Sequence, residues 1–334
     1  MKFSIIIPIY NRAAFIETTL DSVFAQTYRE VEVVCVDDCS TDNGFEKLEG
    51  YALKDTRVKL VRHQKNLGPH CARKTGVQNA SGDYVLFLDC DDSLKPTACS
   101  VLYEALTRQP LDMLEFAYRN KREVSYPVPF ITIENVFDSL VYFINPRAGT
   151  VWNKVYKIEL LQQAFVKMQD FFSVMGEDLY ESVVIAYYAK SYGFINDSLL
   201  YYNDETGISH KRDTLPGVKR ILESIKRTLE AFDLFFHQYA PEKQNAVANI
   251  ERQYIKYVFY YHILMHTHKS DWREALNLLP EYFSADALVP YAHKITQPTI
   301  GLHYELFKYR CNMELRKRIP PRLKMTVKKL LGIA

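Results

Sequence analysis

The sequence predicts an α/β fold, a mostly parallel central sheet with helices on both faces, followed by a mostly helical C-terminal region. Three observations predict it. Short apolar runs alternate with helical patterns between Phe3 and Leu88 at the spacing of βαβ units. Two of those runs end abruptly in acid, at the carboxyl ends of strands where open α/β sheets bind ligands. From about Thr214 the buried-strand runs stop and long helical periodicity takes over.

The elements follow in order. Phe3–Ile9 (FSIIIPI) is a buried strand, and Tyr10-Asn11-Arg12 the turn after it. Asn11 is expected to cap a helix from about Ala13 to Gln26, with Ile16, Leu20, Val23 and Phe24 on one face. Val31–Val36 is a second strand, closed by Asp37-Asp38-Cys39-Ser40-Thr41-Asp42, and a third lies near Arg57–Arg62. A helix runs from about Pro69, tolerated in a first turn, to Asn79. Tyr84–Leu88 is an unbroken apolar strand that stops at Asp89, Asp91 and Asp92. Three carboxylates so close repel unless a cation sits among them, and hard divalent ions take carboxylate and phosphate oxygens. A solvated acidic turn is the plainer reading of that motif taken alone.

Beyond it, Pro96–Arg108 is predicted helical, Leu111–Tyr118 a strand, Ile133–Ile144 a helix and Ser198–Tyr202 a short strand. Gly176-Glu177-Asp178 opens another helix, where acids also suit the positive end of the helix dipole. Val218–Tyr239, Ala246–Met265, Trp272–Leu279 and Leu302–Arg318 are helices of the C-terminal region. His262, His266 and His268 lack a carboxylate or cysteine to complete a metal set and are read as part of a tyrosine-rich face. The domain boundary is placed at 1–213 and 214–334.

Composition narrows the class. The 334 residues are 48% hydrophobic and 25% charged, which is globular, and a net charge of +2 gives no reason to invoke nucleic acid. Six cysteines without CxxC pairing suit a reducing compartment. With no signal peptide or bilayer-length apolar stretch read, the expectation is a cytoplasmic protein. Arg310–Ala334 holds eight Lys or Arg against one acid, interleaved with Leu323, Val327, Leu330 and Leu331. A basic amphipathic helix of that kind suits the inner face of an anionic membrane, or else an oligomer contact.

Four motifs then occur in a fixed order: Pro8-Ile9-Tyr10-Asn11, Val36 to Asp42, Asn66-Leu67-Gly68 with Ala72 to Gly76, and Gly82 through Asp92. Together they resemble the family-2 glycosyltransferases over roughly residues 2–210. The resemblance implies the GT-A fold, a Rossmann-like sheet, and a nucleotide-diphosphate sugar donor, here UDP-linked. It implies that Pro8, Tyr10 and Asn11 line the nucleotide pocket and that Asp38 accepts a hydrogen bond from the base. Asn66 and Arg73 would approach the base or a phosphate, Asp89 would hold ribose or sugar, and Asp91 would hold Mn²⁺ or Mg²⁺. Cys90 stands between the metal-motif acids, where Ser or Ala is usual, and counts among the donor-binding positions. Asp92 is expected behind the site or as a helix cap.

The same resemblance makes Val151 to Lys157 an acceptor-side segment with Trp152 and Lys154, and Glu177-Asp178 the acidic pair whose aspartate is the general base. An inverting transfer needs such a base to take the acceptor hydroxyl's proton. Ser209, His210 and Lys211 fall in a loop expected to close over the donor, with His210 completing the metal shell. The implied activity is inverting transfer from a UDP-sugar to a glycan or lipid-linked glycan acceptor of a bacterial surface polysaccharide. A protein that keeps the fold and binds the donor without turnover is the alternative, and a membrane adaptor working through its C-terminal helices is a third reading.

Overall fold

The computed structural model describes residues 1–127, 129–130, 132–142, 149–205 and 214–292. The first half alternates strand and helix: β1 (Phe3–Ile9), α1 (Ile16–Phe24), β2 (Val31–Asp37), α2 (Gly44–Ala52), β3 (Val58–Arg62), α3 (Pro69–Asn79) and β4 (Tyr84–Phe87). There follow β5 (Ser93–Leu94), α4 (Ala98–Arg108), β6 (Met113–Arg119), β7 (Val124–Ser125) and α5 (Ile133–Tyr142). Next come β8 (Lys154–Lys157), α6 (Ile158–Phe165), α7 (Glu177–Tyr188) and β9 (Tyr192–Tyr201). The rest is helical: α8 (Leu215–Tyr239), α9 (Ala246–Tyr257), α10 (Trp272–Tyr282) and α11 (Ala285–Ala292).

The strands join in the order β3-β2-β1-β4-β8-β6-β9-β5, with β7 beside β6. Pairs β2–β3, β1–β2, β1–β4 and β6–β9 are parallel, whereas β8, β5 and β7 run antiparallel to their partners. The chain moves outward from β1 to β3 and then returns across the sheet to β4. Right-handed crossovers therefore put α1 and α2 on one face and α3 on the other. Side-chain alternation agrees. Phe3, Ile5, Ile7 and Ile9 join a core with Ile16, Leu20, Val23 and Leu48, whereas Ile6 points at α3. There α3 lies so close that a Cβ added at Gly76 would stand 2.2 Å from Ile6 Cγ2. On that second face Phe87 of β4 meets Phe165 of α6 at 6.1 Å.

The described residues among Met1–His210 and Arg227–Ile250 form one compact unit, and those among Lys211–Lys226 and Glu251–Ala334 a second. In the second unit, Ser284 N–H and Oγ–H donate to the two oxygens of Glu251, and the Trp272 indole donates to the Thr267 carbonyl.

Several expectations need correction. Asn11 does not cap α1, which begins at Ile16 with Phe15 before it. Asn11 instead takes a left-handed backbone conformation (φ 52°), and its Oδ1 accepts from Thr41 N–H at 2.8 Å, tying the β1 loop to the β2 loop. The single helix expected over Ala246–Met265 ends as α9 at Tyr257, and Val258–His266 winds as a wider π-helix. In it Tyr261 stacks on Tyr257 at 5.2 Å, and the His266 ring lies 4.5 Å from that of Tyr261. β9 begins at Tyr192, well before Ser198, because its register with β6 shifts around Ala117 and breaks the alternation that marks a strand. No helix among the described residues is long and apolar enough to cross a membrane. His210 with its neighbours and the basic tail lie outside the described residues.

Candidate active site

Strand order decides where the site lies. Between β1 and β4 the connections reverse direction, and ligands of open sheets enter the crevice at the carboxyl ends of such strands. The turn with Tyr10 and Asn11 follows β1, the Asp37–Asp42 loop follows β2, and Asp89–Asp92 follow β4. β8 is antiparallel to β4, so its start, with Trp152 and Lys154, comes to the same edge. β6 and β9 end there too, since Arg119 pairs with Tyr201.

On the donor side, loops are anchored to one another by side chains that accept from backbone amides. Asp38 is buried, and its carboxylate accepts from Leu67 N–H at 2.8 Å, Gly68 N–H at 2.7 Å and His63 Nδ1 at 2.7 Å. His63 Nε2 lies 2.9 Å from Thr75 Oγ on α3. Asn66 folds its own loop, Oδ1 accepting from Gly68 N–H. Asp37 is held by Arg62 at 3.2 Å and by Ser40 N–H. Pro8 is half-buried at the end of β1, and Tyr10 is 43% exposed, open to a ligand.

After β4 the three carboxylates diverge. Asp89, about a third exposed, faces Arg73 at 3.6 Å, and Asp91 faces Arg12 at 3.8 Å. Asp92 turns inward, Oδ1 accepting from Asn203 N–H at 2.8 Å, so it anchors the loop after β9 and caps no helix. Among the described residues its buried Oδ2 has no hydrogen-bond partner, and burial with Asp89 nearby pushes its carboxyl up to about 9. Cys90, expected among the donor-binding positions, has its side chain buried in the hydrophobic core with Leu88 and Leu94. Burial likewise raises its thiol.

The second acidic focus meets the first through one arginine. Gly176, left-handed at φ 98°, precedes α7 and turns the chain so that Glu177 and Asp178 open the helix. Arg73 on α3 is 3% exposed, and its Nη1 donates to Asp178 Oδ1 at 2.5 Å and to Glu181 Oε2 at 3.1 Å. With Asp89 on Nη2, the guanidinium is shared by three carboxylates drawn from two motifs. Its expected approach to a phosphate or base gives way to this bridging position, deep between α3 and α7. Desolvation in the crowded cleft raises Asp178 despite Arg73, and raises Asp89 to about 6 and Glu177 to about 8. Glu177 Oε2 is buried with no hydrogen-bond partner among the described residues.

Of the acceptor-side expectations, Lys154 is corrected. It is buried, and its Nζ donates to the Thr150 carbonyl at 2.7 Å and to Asn153 Oδ1 at 2.9 Å. Glu115, which also accepts from Asn153 and from Tyr192, lies 3.9 Å away. Burial lowers the lysine's pKa, and its charge acts on Asp178, lowering that carboxyl. Trp152 stacks flat under Tyr202 (5.0 Å, 8°) and edge-on to Tyr118. Tyr202, not Trp152, is thus the more open ring of that stack.

Sequence reasoning missed His70, Glu181, His63 and Tyr202. Glu181 had a faint signal, since it stands one helical turn from both Glu177 and Asp178. His70 is one turn before Arg73 in the same way.

Comparison with known proteins identifies the family. Residues 4–171 match the model of the glycosyl transferase family 2. Glycosyltransferase GlyA of Streptococcus pneumoniae is 29% identical over 220 residues, 62% of this chain and 31% of that protein. The chain's match covers 31% of GlyA and about half to three fifths of two further curated relatives, the cholesterol galactosyltransferase of Borreliella burgdorferi and YibD of Escherichia coli. S. aureus TarS 1–349, solved with UDP-GlcNAc, has a TM-score of 0.63 at 21% identity, over 93% of this chain and 92% of that one. A mannosyltransferase from Pyrobaculum calidifontis, solved with GDP-Man and Mn²⁺, has a TM-score of 0.53 at 18% identity, over 99% and 85%. These likenesses agree with the GT-A fold. With its family model matched over half its length, this chain is a member of glycosyl transferase family 2.

Proposed function

We propose that the protein is an inverting glycosyltransferase that moves a sugar from a UDP-linked donor to a hydroxyl of a bacterial surface glycan or its lipid-linked precursor. The observation that carries this reading is the shared arginine. Arg73 joins Asp178, the acid positioned to take a proton, to Asp89, the acid that ends the donor-side strand. A proton acceptor and a donor-sugar ligand are thereby held at a fixed spacing in one cleft, which is what a single displacement at an anomeric carbon requires.

The roles follow from positions. The partly exposed Tyr10 flanks the base, beside Pro8 and Asn11. Among the described residues, Asp38 Oδ2 accepts only from Gly68 N–H, which leaves an acceptor direction for a base N–H. Asp89 takes ribose or sugar hydroxyls, Asp178 removes the acceptor's proton, and Glu177 binds or orients the acceptor. Tyr202 and Trp152 offer the aromatic wall against which a sugar ring stacks.

The donor set also fits a hard divalent ion. Among the described residues no group of three protein ligands is assembled, yet Mg²⁺ and Mn²⁺ sites of this kind use one or two carboxylates and complete their shell with substrate phosphates. Asp91, with His210 from outside the described residues, would hold the ion, which would supply charge neutralisation on the departing diphosphate. UDP-GlcNAc in TarS supports a UDP-sugar, and Mn²⁺ in the Pyrobaculum enzyme supports that metal.

The test is nucleotide release from a panel of UDP-, GDP-, CDP- and TDP-sugars with Mn²⁺. Asp178→Asn is expected to lower turnover by about 10³-fold with donor binding retained. Binding of no sugar nucleotide would sink the reading.

A further inference from the structure

We infer that His70 and Glu181, fully buried behind the cleft, are positioning residues that set how firmly Arg73 holds the base. The inference rests on the reading of Asp178 as that base. The chain of contacts runs inward from it. Arg73 Nη1 donates to Asp178 Oδ1 at 2.5 Å, and the same nitrogen donates to Glu181 Oε2 at 3.1 Å. The other oxygen of Glu181, Oε1, lies 2.8 Å from His70 Nδ1. His70 Nε2 lies 3.0 Å from the Gln169 carbonyl.

The tautomer follows from the acceptors. A carbonyl can only accept, so Nε2 carries a hydrogen. Nδ1 then faces a carboxylate oxygen, and two bare acceptors at that distance would repel, so a second proton lies in the His70–Glu181 bond. The ring is fully buried and fixed between Phe165 (5.8 Å, 16°) and Phe171 (5.3 Å, 25°), with Tyr180 at its edge. No side chain here has room to swing. Glu181 and Asp178 therefore draw on a single nitrogen, and charge added to or removed from Glu181 changes what Arg73 has left for Asp178.

Other charges around Asp178 are fixed by their own elements: Lys154 and Tyr156 on β8, Asp89 after β4, Glu115 on β6, and Glu177 on its own helix. Of these neighbours, only Glu181 shares the Arg73 nitrogen that bonds Asp178. This two-step hold would let the fold tune the base without placing another titratable group in the path of the acceptor.

The test is a ¹³Cγ-aspartate NMR titration of the full chain, without ligand, the Asp178 signal being identified by its loss in Asp178→Asn. His70→Gln leaves an amide to bond Glu181 but no positive charge, so Glu181 draws harder on Arg73. The Asp178 midpoint should rise by about one pH unit. Glu181→Gln releases the guanidinium to Asp178, and the midpoint should fall by about one unit. Opposite displacements are the expected result, which a merely structural pair would not give. Two shifts of the same sign, or none in folded variants, would overturn the inference. Should His70→Gln not fold, Glu181→Gln alone carries the test: a fall of the Asp178 midpoint is expected, and an unchanged or raised midpoint would overturn the inference. Full turnover by Asp178→Asn would instead overturn the assignment of the base, whatever the titration gives.

Discussion

The two sides of the cleft are built from different materials. On the donor side, side-chain oxygens accept from backbone amides of neighbouring loops: Asp38 from Leu67 and Gly68, Asn11 from Thr41, and Asp92 from Asn203. On the base side, buried side chains bond one another between α3 and α7, with Arg73 shared among Asp178, Glu181 and Asp89. Backbone amides are neutral and cannot leave, so the donor loops lean less on the protonation of neighbouring side chains, with Arg62 on Asp37 and His63 on Asp38 as their charged contacts. The base side keeps its shape only while each proton stays where it is. Substitutions should therefore act locally on one side and propagate on the other.

The largest effect is expected at Arg73. Arg73→Ala would leave Glu181 buried opposite a lost cation and Asp178 and Asp89 without their common partner. Breaking one partner out of a buried ionic group costs about 3–5 kcal/mol. Urea denaturation should show a loss of that order, and adding Glu181→Gln to Arg73→Ala should restore part of it. A loss below about 1 kcal/mol would mean that water already serves these carboxylates, and the contrast between the two sides would collapse.

That contrast also marks what could be read without a structure. The donor side was legible because its residues sit next to the strands that carry them. β1 appears over the predicted Phe3–Ile9, and the acids after β2 and β4 fall at strand ends. Arg73, Asp89 and Asp178 were found as motif residues, but their pairing was not, because Arg73 and Asp178 are 105 residues apart and no local pattern links them. His70 looked like one more polar residue on a helix. Where Cys90 and Lys154 point was illegible for a related reason: motif position says which residue is near the site, whereas packing decides which way it points. Cys90, in the turn after β4, joins the core with Leu86 and Leu88.

A middle-sized effect is expected at Asp38. Asparagine keeps one acceptor oxygen but turns an N–H₂ group toward a backbone N–H, so at least one of the three bonds is lost. Leaving a buried donor unsatisfied costs about 1–3 kcal/mol. Asp38→Asn should lower the denaturation midpoint accordingly and weaken UDP binding, while the ¹³Cγ midpoint of Asp178 stays within about 0.2 units of wild type if the two sides are independent. A larger displacement would show that the loops carry charge information after all, through His63 and Thr75 into α3.

The smallest effect is a pH dependence at Glu177. Burial, reinforced by Asp178, pushes its carboxyl up to about 8, from an ordinary value near 4.5, and its Oε2 has no hydrogen-bond partner among the described residues. The sign follows from the direction of the shift. Between about 4.5 and 8 the folded chain binds this proton and the unfolded chain does not, so the group's contribution to stability falls as pH rises through that window. Glutamine mimics the protonated acid at every pH. Glu177→Gln should therefore match wild type near pH 4.5 and exceed it at pH 8.5, the gap widening by up to about 1.4 kcal/mol per pH unit across that window, several °C in Tm. Subtracting one curve from the other removes every group the two proteins share. Parallel curves would mean that Glu177 is already ionised and reaches solvent, and the crowding that separates the base side from the donor side would then end at Asp178.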